Sequence, residues 1–339
     1  MTWLNEIGAT LSDTNPTLVT SFGKPDAELQ AYAEQTVVCP LTQFGLIRFS
    51  GEETQAFLQG QLSSDIRALQ SNQIQFSSYS TPKGRMQASF YVIRRGNDYL
   101  LQIDQAIQAA IQKRLSMFIL RSKTKASDAT SELALLGVAG KHAKASISKV
   151  FGAAPDAMQV IEQGDIQIIG LLNEHYQVLL PQEQAKQVWE QIVASGATPA
   201  GEAVWRLSEI QAGSPWVTAA TQEEFVPQMA NLELIGGISF TKGCYPGQEI
   251  VARTQYLGKL KRRTYRMHVD SLDAQAGQDV FSPEMNGQPS GKIMLAAPAP
   301  QGGMELLVVA QIASLEHGLH LGDVNGPLLH NLALPYAMN

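Results

Sequence analysis

The eight residues Lys242-Gly243-Cys244-Tyr245-Pro246-Gly247-Gln248-Glu249 are the most chemically suggestive grouping in the chain. One of only two cysteines stands here between glycines, two positions from a lysine. The thiolate, rather than the thiol, is the nucleophile and metal ligand, and a neighbouring ammonium favours it. If Lys242 and Cys244 lie on an extended segment, their side chains project from one face. Pro246 suits the first position of a helix, where its missing N–H costs nothing, and Gln248-Glu249 then fall in the first turn. Helix N–H groups so placed add positive potential near the sulfur. On this reading Cys244 is a working thiol and Lys242 its activator. A second reading fits the same residues: a small apolar side chain packed at a strand-to-helix corner, because free cysteines are commonly buried.

A basic strip follows. Between Lys242 and Arg266 stand Lys242, Arg253, Lys259, Lys261, Arg262, Arg263 and Arg266 against one acid, Glu249, a net +6 that leaves −12 on the remaining chain. Like charges this dense repel unless something neutralises them, so the strip is either a solvated face or the seat of an anionic ligand. The overall charge of −6 argues against a general nucleic-acid binder.

The elements that must position these residues are legible from periodicity. At 339 residues and 44% apolar content the chain can bury a large core divided among two or three domains. Residues 1–35, broken by Pro16, Gly23 and Pro25, read as a loose or short-helical lead-in. Leu46–Phe49 reads as a strand, and Ser50 with Glu53 forms a capping box opening a helix that buries Phe57, Leu58 and Leu62. Ile74–Ser80 and Met86–Arg95 are strands joined by the turn Thr81-Pro82-Lys83-Gly84. After a strand over Tyr99–Ile103, Asp104 caps a helix carrying Ile107, Ile111, Leu115 and Phe118. The same order recurs over residues 133–194, ending in a helix that turns Ala185, Val188, Trp189 and Ile192 inward. Two such units suggest a duplication. Glu202–Gln211 reads as a connecting helix, and Val280-Phe281, Gly291–Ala297 and Glu305–Ala313 as short strands of a small barrel or sandwich. The fold class is therefore α+β: two antiparallel, ferredoxin-like α+β units over 1–127 and 128–255, then a C-terminal small β-barrel over 256–339.

Two cysteines, Cys39 and Cys244, make no disulfide framework and fit a reducing compartment; they cannot build a four-thiolate metal site, and no histidine spacing suggests a metal ligand set. Met1–Leu18 lacks the features of a signal peptide, and no run of eighteen apolar residues predicts a membrane span. A cytoplasmic protein without a membrane partner is expected.

Several stretches resemble one family: Phe57-Leu58-Gln59-Gly60-Gln61-Leu62-Ser63-Ser64-Asp65-Ile66, Pro82-Lys83-Gly84-Arg85, Phe225 to Glu233, Gly236 to Arg253, and Leu257 to Arg263. It is the YgfZ family of folate-binding proteins, relatives of the aminomethyltransferase (T-protein) of the glycine cleavage system. The Lys-Gly-Cys-Tyr-x-Gly-Gln-Glu string is the most specific part, and the resemblance spans roughly residues 40–330. It implies three domains around a central opening that admits tetrahydrofolate. It also implies a role in making or repairing iron–sulfur clusters in client proteins, a tRNA-thiolating enzyme among them, so that any contact with tRNA is indirect.

The residue types suit such a ligand. A pterin edge alternates donors and acceptors that amides and a carboxylate can meet, and Gln228, Asn231 and Glu233 are candidates; turn and cap chemistry around Pro227 would use the same residue types. Arg253, Lys259, Lys261, Arg262 and Arg263 are candidates to receive the glutamate carboxylates of a folate tail. One departure bears on mechanism. T-proteins carry paired aspartates on the strand after the glycine turn, whereas here Ala88-Ser89 occupy about that place. Asp65 is a possible substitute, although it also fits the end of the preceding helix. Loss of the carboxylates disfavours aminomethyl transfer from a lipoyl arm. The expected function is a tetrahydrofolate-dependent accessory factor for iron–sulfur proteins. The alternative is a folate-dependent one-carbon transferase acting on a small amine or tRNA.

Overall fold

The computed structural model describes residues 2–338. It contains two antiparallel-dominated sheets, a closed six-stranded barrel near the C-terminus, and a small hairpin of Thr10–Leu11 with Val19–Ser21. The first sheet orders its strands Ile74–Ser80, Met86–Arg95, Asp98–Asp104, Phe44–Ser50 and Lys125–Asp128, all antiparallel. The expected turn at Thr81–Gly84 joins the first two strands where the Gly and Pro residues demand it. Met86 to Ile93 is buried without interruption, so both faces of the sheet are covered rather than one. Trp216 packs on Phe44, Phe76 and Tyr91, with ring centroids 4.5, 5.4 and 5.5 Å away. Helix Gln105–Ser116, capped by Asp104 accepting from the Ala106 N–H, buries Ile107, Ile111 and Leu115. Phe118 falls beyond the helix end and is exposed, contrary to expectation. The Ser50–Glu53 capping box does not form either. Ser50 continues the strand opposite Lys125, and Glu53 accepts from the Lys123 N–H.

The second sheet repeats the first unit's strand order. Val160–Gln163, Ile166–Gly170, Tyr176–Pro181 and Leu133–Gly140 lie side by side just as their counterparts do, which is the duplication read from periodicity. Its next strand is Thr36–Pro40, which precedes the first sheet in sequence yet pairs antiparallel with Leu133–Gly140. By hydrogen bonding this strand stands apart from the residues that follow it. The lead-in is also better ordered than its composition suggested. Helix Pro25–Glu34 buries Leu29 and Tyr32, and Leu4 and Val19 enter the core of the second unit.

Helix Glu202–Ala212 lies at the centre, with Val204, Trp205, Leu207 and Ile210 buried in the core shared with the first sheet. The barrel runs Arg262–Val269, Met304–Gln311, Pro289–Pro298, Asp279–Phe281, Leu319–Leu321 and Leu328–Leu332. Closure leaves no open edge. Tyr265, Met267 and Val269 from its first strand face the barrel core, so three of the seven basic residues of the strip, Arg262, Arg263 and Arg266, lie on a strand, and Arg253 lies on helix Gln248–Tyr256.

Candidate functional site

Three segments distant in sequence meet around the cysteine. Residues 237–247 belong to no helix or strand. The two side chains part: Cys244 is exposed, whereas Lys242 is only 7% exposed. The Lys242 ammonium donates to the backbone carbonyls of Leu62 (2.5 Å) and Ser64 (2.8 Å) and lies 5.0 Å from the centroid of the Tyr245 ring. Lys242 is therefore an anchor that ties the cysteine loop to residues 62–64. Burial lowers its pKa to about 8, with Asp65 opposing the shift and Arg67 adding to it. Ser63 reinforces the tie: its Oγ donates to Gly237 O (2.7 Å) and its carbonyl accepts from the Ser239 N–H (2.9 Å). Asp65 caps the short turn Ile66–Ala68 through the Arg67 N–H and does not end the preceding helix, which closes at Gln59.

The third segment is the Thr81–Gly84 turn. Gly84 and Gly247 both adopt left-handed backbone (φ 74° and 83°) and approach each other without room for side chains. A Cβ on Gly247 would stand 2.7 Å from Thr81 O and 2.8 Å from the Gly84 Cα. Gly247 is the cap of helix Gln248–Tyr256, so Pro246 sits in the turn before the helix and not at its first position. Helix N–H groups consequently begin four residues past Cys244. Gly247→Ala is expected to cost about 2–4 kcal/mol, combining a disfavoured φ with a backbone clash. Urea unfolding measures it, and a loss under about 0.5 kcal/mol would show that the three segments are not held this tightly.

The fold brings Gln228, Asn231 and Glu233 together around one guanidinium. Arg263 donates to Gln228 O (3.3 Å) and Asn231 Oδ1 (3.4 Å) and pairs with the Glu233 carboxylate. Asn231, in left-handed backbone, also donates to Thr264 O (2.9 Å), and Gln228 donates to Val251 O (2.6 Å) on the helix that follows the cysteine. Turn and barrel-docking chemistry thus uses part of this trio. Two buried oxygens make no hydrogen bond among the described residues, Gln228 Oε1 and Glu233 Oε2. The basic strip divides as well. Arg263 is held by Glu233 and Arg266 by Glu305 (2.7 Å), so Arg263 is not free for a folate tail. Arg253, Lys259, Lys261 and Arg262 have no ion pair among the described residues.

A second polar centre escaped sequence reading. Glu209 is buried on the central helix, accepts from Trp205 Nε1 (3.0 Å), and has its pKa raised by burial to about 8. Its Oε2 lies 3.9 Å from Arg206 NH1, an ion pair in which neither atom makes a hydrogen bond among the described residues, and Arg206 also pairs with Glu202 (2.9 Å). Arg206 and Asp104 border a cleft of about 460 Å3 that also touches Thr218 and, on the barrel, Leu295 and Ala296. The only sequence signal was charge on an apolar helix, Arg206 and Glu209 among Val204, Leu207 and Ile210. Ala88 and Ser89 are fully buried and Ser89 Oγ accepts from the Val217 N–H (2.8 Å).

Comparison with known proteins fits these convergent motifs. Residues 17–238 match the GCVT N-terminal domain model. The tRNA-modifying protein YgfZ of Colwellia psychrerythraea is 31% identical over 312 residues, 91% of this chain and 95% of that one. The chain belongs to the YgfZ family. The YgfZ protein of Yersinia enterocolitica is likewise 31% identical, over 88% of this chain and 92% of its own. Among solved structures, the glycine cleavage system aminomethyltransferase T of Bartonella henselae superposes with a TM-score of 0.76 at 16% identity, covering 98% of this chain and 95% of that one. That likeness shows that this YgfZ-family chain shares the fold of that aminomethyltransferase. Among the described residues no helix is long and apolar enough to cross a membrane, and no three His, Cys, Asp or Glu side chains gather as a metal site.

Proposed function

We propose that this protein binds tetrahydrofolate in an opening between its three domains and serves tRNA modification as an accessory factor for iron–sulfur enzymes, tRNA-thiolating ones among them. Cys244 is its working thiol. The observation that carries the reading is the presentation of the sulfur: Lys242 and Tyr245 are buried on either side while Cys244 is exposed, so the loop is pinned and the thiol faces outward. The naming of the relatives as tRNA-modifying proteins supports the cellular context. A lone cysteine supplies one ligand, so an iron–sulfur cluster is cargo shared with a client protein. Thiol chemistry of this kind matches a reducing, cytoplasmic setting.

The unpartnered acceptors Gln228 Oε1 and Glu233 Oε2 fit the N–H edge of a pterin, which they would hold in pairs with Asn231 fixing the turn. Arg253, Lys259 and Arg262, without a carboxylate partner among the described residues, would take the glutamate tail. Each exposed charge contact contributes about 0.2–1 kcal/mol, so a polyglutamyl tetrahydrofolate is expected to bind several-fold tighter than the monoglutamate, with the gain fading in high salt. Equal affinity at low salt would remove the strip from folate binding. The Glu209–Arg206 ion pair offers a second seat for the pterin, because Glu209 Oε2 and Arg206 NH1 are buried without a hydrogen bond among the described residues and Arg206 borders a cleft. Calorimetric titration of tetrahydrofolate into the parent, Glu233→Gln, Arg253→Ala and Glu209→Gln proteins decides between them. Loss in the first two supports the acceptor pair, loss in Glu209→Gln alone moves the pterin to the central helix, and no saturable binding by the parent refutes the folate reading. A one-carbon transferase is disfavoured by the buried, carboxylate-free Ala88-Ser89 strand.

A further inference from the structure

We propose that the crevice between the second sheet and the barrel is a binding site for a small zwitterion of the α-amino-acid class. It has a volume of about 450 Å3 and lies where Tyr32, Lys141, Glu174, His175, Gln211 and the barrel loop at Gln301 meet. That is within the range of about 300–1,000 Å3 usual for small-molecule sites.

Three independent observations carry the inference. The first is His175 on the floor. It is only 4% exposed, lines the crevice, and makes no side-chain hydrogen bond to any described residue. Buried polar groups are normally paired, so an unpaired imidazole facing a cavity points to a ligand partner. Burial lowers its pKa to about 4, so at neutral pH it offers one N–H donor and one lone pair and adds no charge.

The second is strained backbone at the rim. Asn173 and Glu174 are successive non-glycine residues in left-handed conformation (φ 61° and 54°). Each costs of the order of 1 kcal/mol, and such residues concentrate at ligand-holding sites. Here the strained pair leads the chain from the exposed Glu174 to the buried His175 in one step.

The third is the distribution of charge. The floor is uncharged: Tyr32 OH donates to Gln211 Oε1 (2.9 Å), and Gln211 Nε2 donates onward to Glu305 (3.1 Å), so these groups are already satisfied. The rim carries one cation, Lys141, and one anion, Glu174, and neither has an ion-pair partner among the described residues. One charge of each sign around a neutral polar floor matches a ligand with an ammonium, a carboxylate and a polar side group. A nucleotide or a polyanion would leave Glu174 opposed to like charge.

The test is calorimetric titration of the full chain with L-glutamine and L-serine, alongside N-acetyl-L-glutamine, L-glutamine amide and acetate. At least one free amino acid is expected to saturate the site, with both blocked derivatives at least tenfold weaker and acetate inert. Glu174→Gln should abolish the penalty for N-acetylation, and Lys141→Gln the penalty for amidation; both residues are exposed, so folding is not at risk. His175→Leu should lose affinity while retaining the parent's melting temperature within a few degrees. No saturable binding of either L-glutamine or L-serine overturns the proposal. So does binding that ignores both rim substitutions, or binding of acetate as tight as of the amino acid. Because none of the folate-site variants touches this crevice, failure here leaves the folate reading standing, and failure there leaves this one.

Discussion

Cys244→Ser is expected to abolish function in the cell while changing stability by less than about 0.5 kcal/mol. Cys244 is exposed and its sulfur makes no hydrogen bond among the described residues, so exchanging it for oxygen removes no buried packing. What the exchange does remove is a soft, ionisable atom able to ligate iron, hold sulfur or exchange disulfides, roles a serine hydroxyl cannot take at neutral pH. The measurement is complementation of cells lacking the native copy, scored by thiolation of client tRNA, together with a melting curve of the purified variant. Full complementation would end the thiol reading. Cys39 makes the control, as Cys39→Ala rather than Cys39→Ser. It is fully buried in the second sheet, and burial raises its thiol pKa far above the usual range. An unpaired hydroxyl there costs about 1–3 kcal/mol, so Cys39→Ala is the cleaner choice, with expected retention of function.

Lys242→Met is expected to destabilise the protein by about 2–3 kcal/mol and to lose function although the thiol remains. The substitution keeps the aliphatic length but leaves the Leu62 and Ser64 carbonyls without the donor that joins them to the cysteine loop. A pH profile separates this from ordinary core damage. The folded protein holds the Lys242 proton up to about pH 8, and the unfolded chain holds it to about 10.5. Between those values the unfolded state binds more protons, so this residue makes the parent more stable as pH rises from 8 towards 10.5. The total gain is of the order of 3 kcal/mol, and below pH 8 the contribution is constant. The Met variant has no such proton and should lack that rise. Unfolding free energies at pH 7 and pH 10 measure the difference; an identical change in parent and variant would show that Lys242 is not the buried anchor described here.

The element boundaries were largely written in local pattern. Ile74–Ser80 and Met86–Arg95 fall where alternation and the Pro-Gly turn put them, and helix Ala185–Ala194 buries the four residues that its 3.6-residue period picked out. Local signals failed where a longer-range partner competed. Ser50 prefers a strand neighbour at Lys125 to a capping role, and Glu53 is taken by the Lys123 N–H. The lead-in looked loose because its apolar residues are few, yet Leu4 and Val19 are buried against the second unit.

The site divided in the same way. The identity of the chemistry-bearing residues was readable, because a cysteine between glycines and a run of cations are rare in any chain. Their partners were not. Nothing in the spacing shows that Arg263 would be claimed by Glu233, thirty residues earlier, or that Lys242 would turn inward while Cys244 turned out. Glu209 and His175 carried no motif at all.

By itself, then, the sequence determined which stretches are strands and helices, the doubling of the first unit, and the family to which the cysteine loop belongs. Those properties depend on periodicity, turn chemistry and residue type, all of which are local. Only the tertiary structure decided which charges are spent internally and which stay free. A charge is neutralised by whatever the fold packs within about 4 Å of it, and that neighbour is set by how the sheets, the barrel and their connecting loops pack rather than by its distance along the chain.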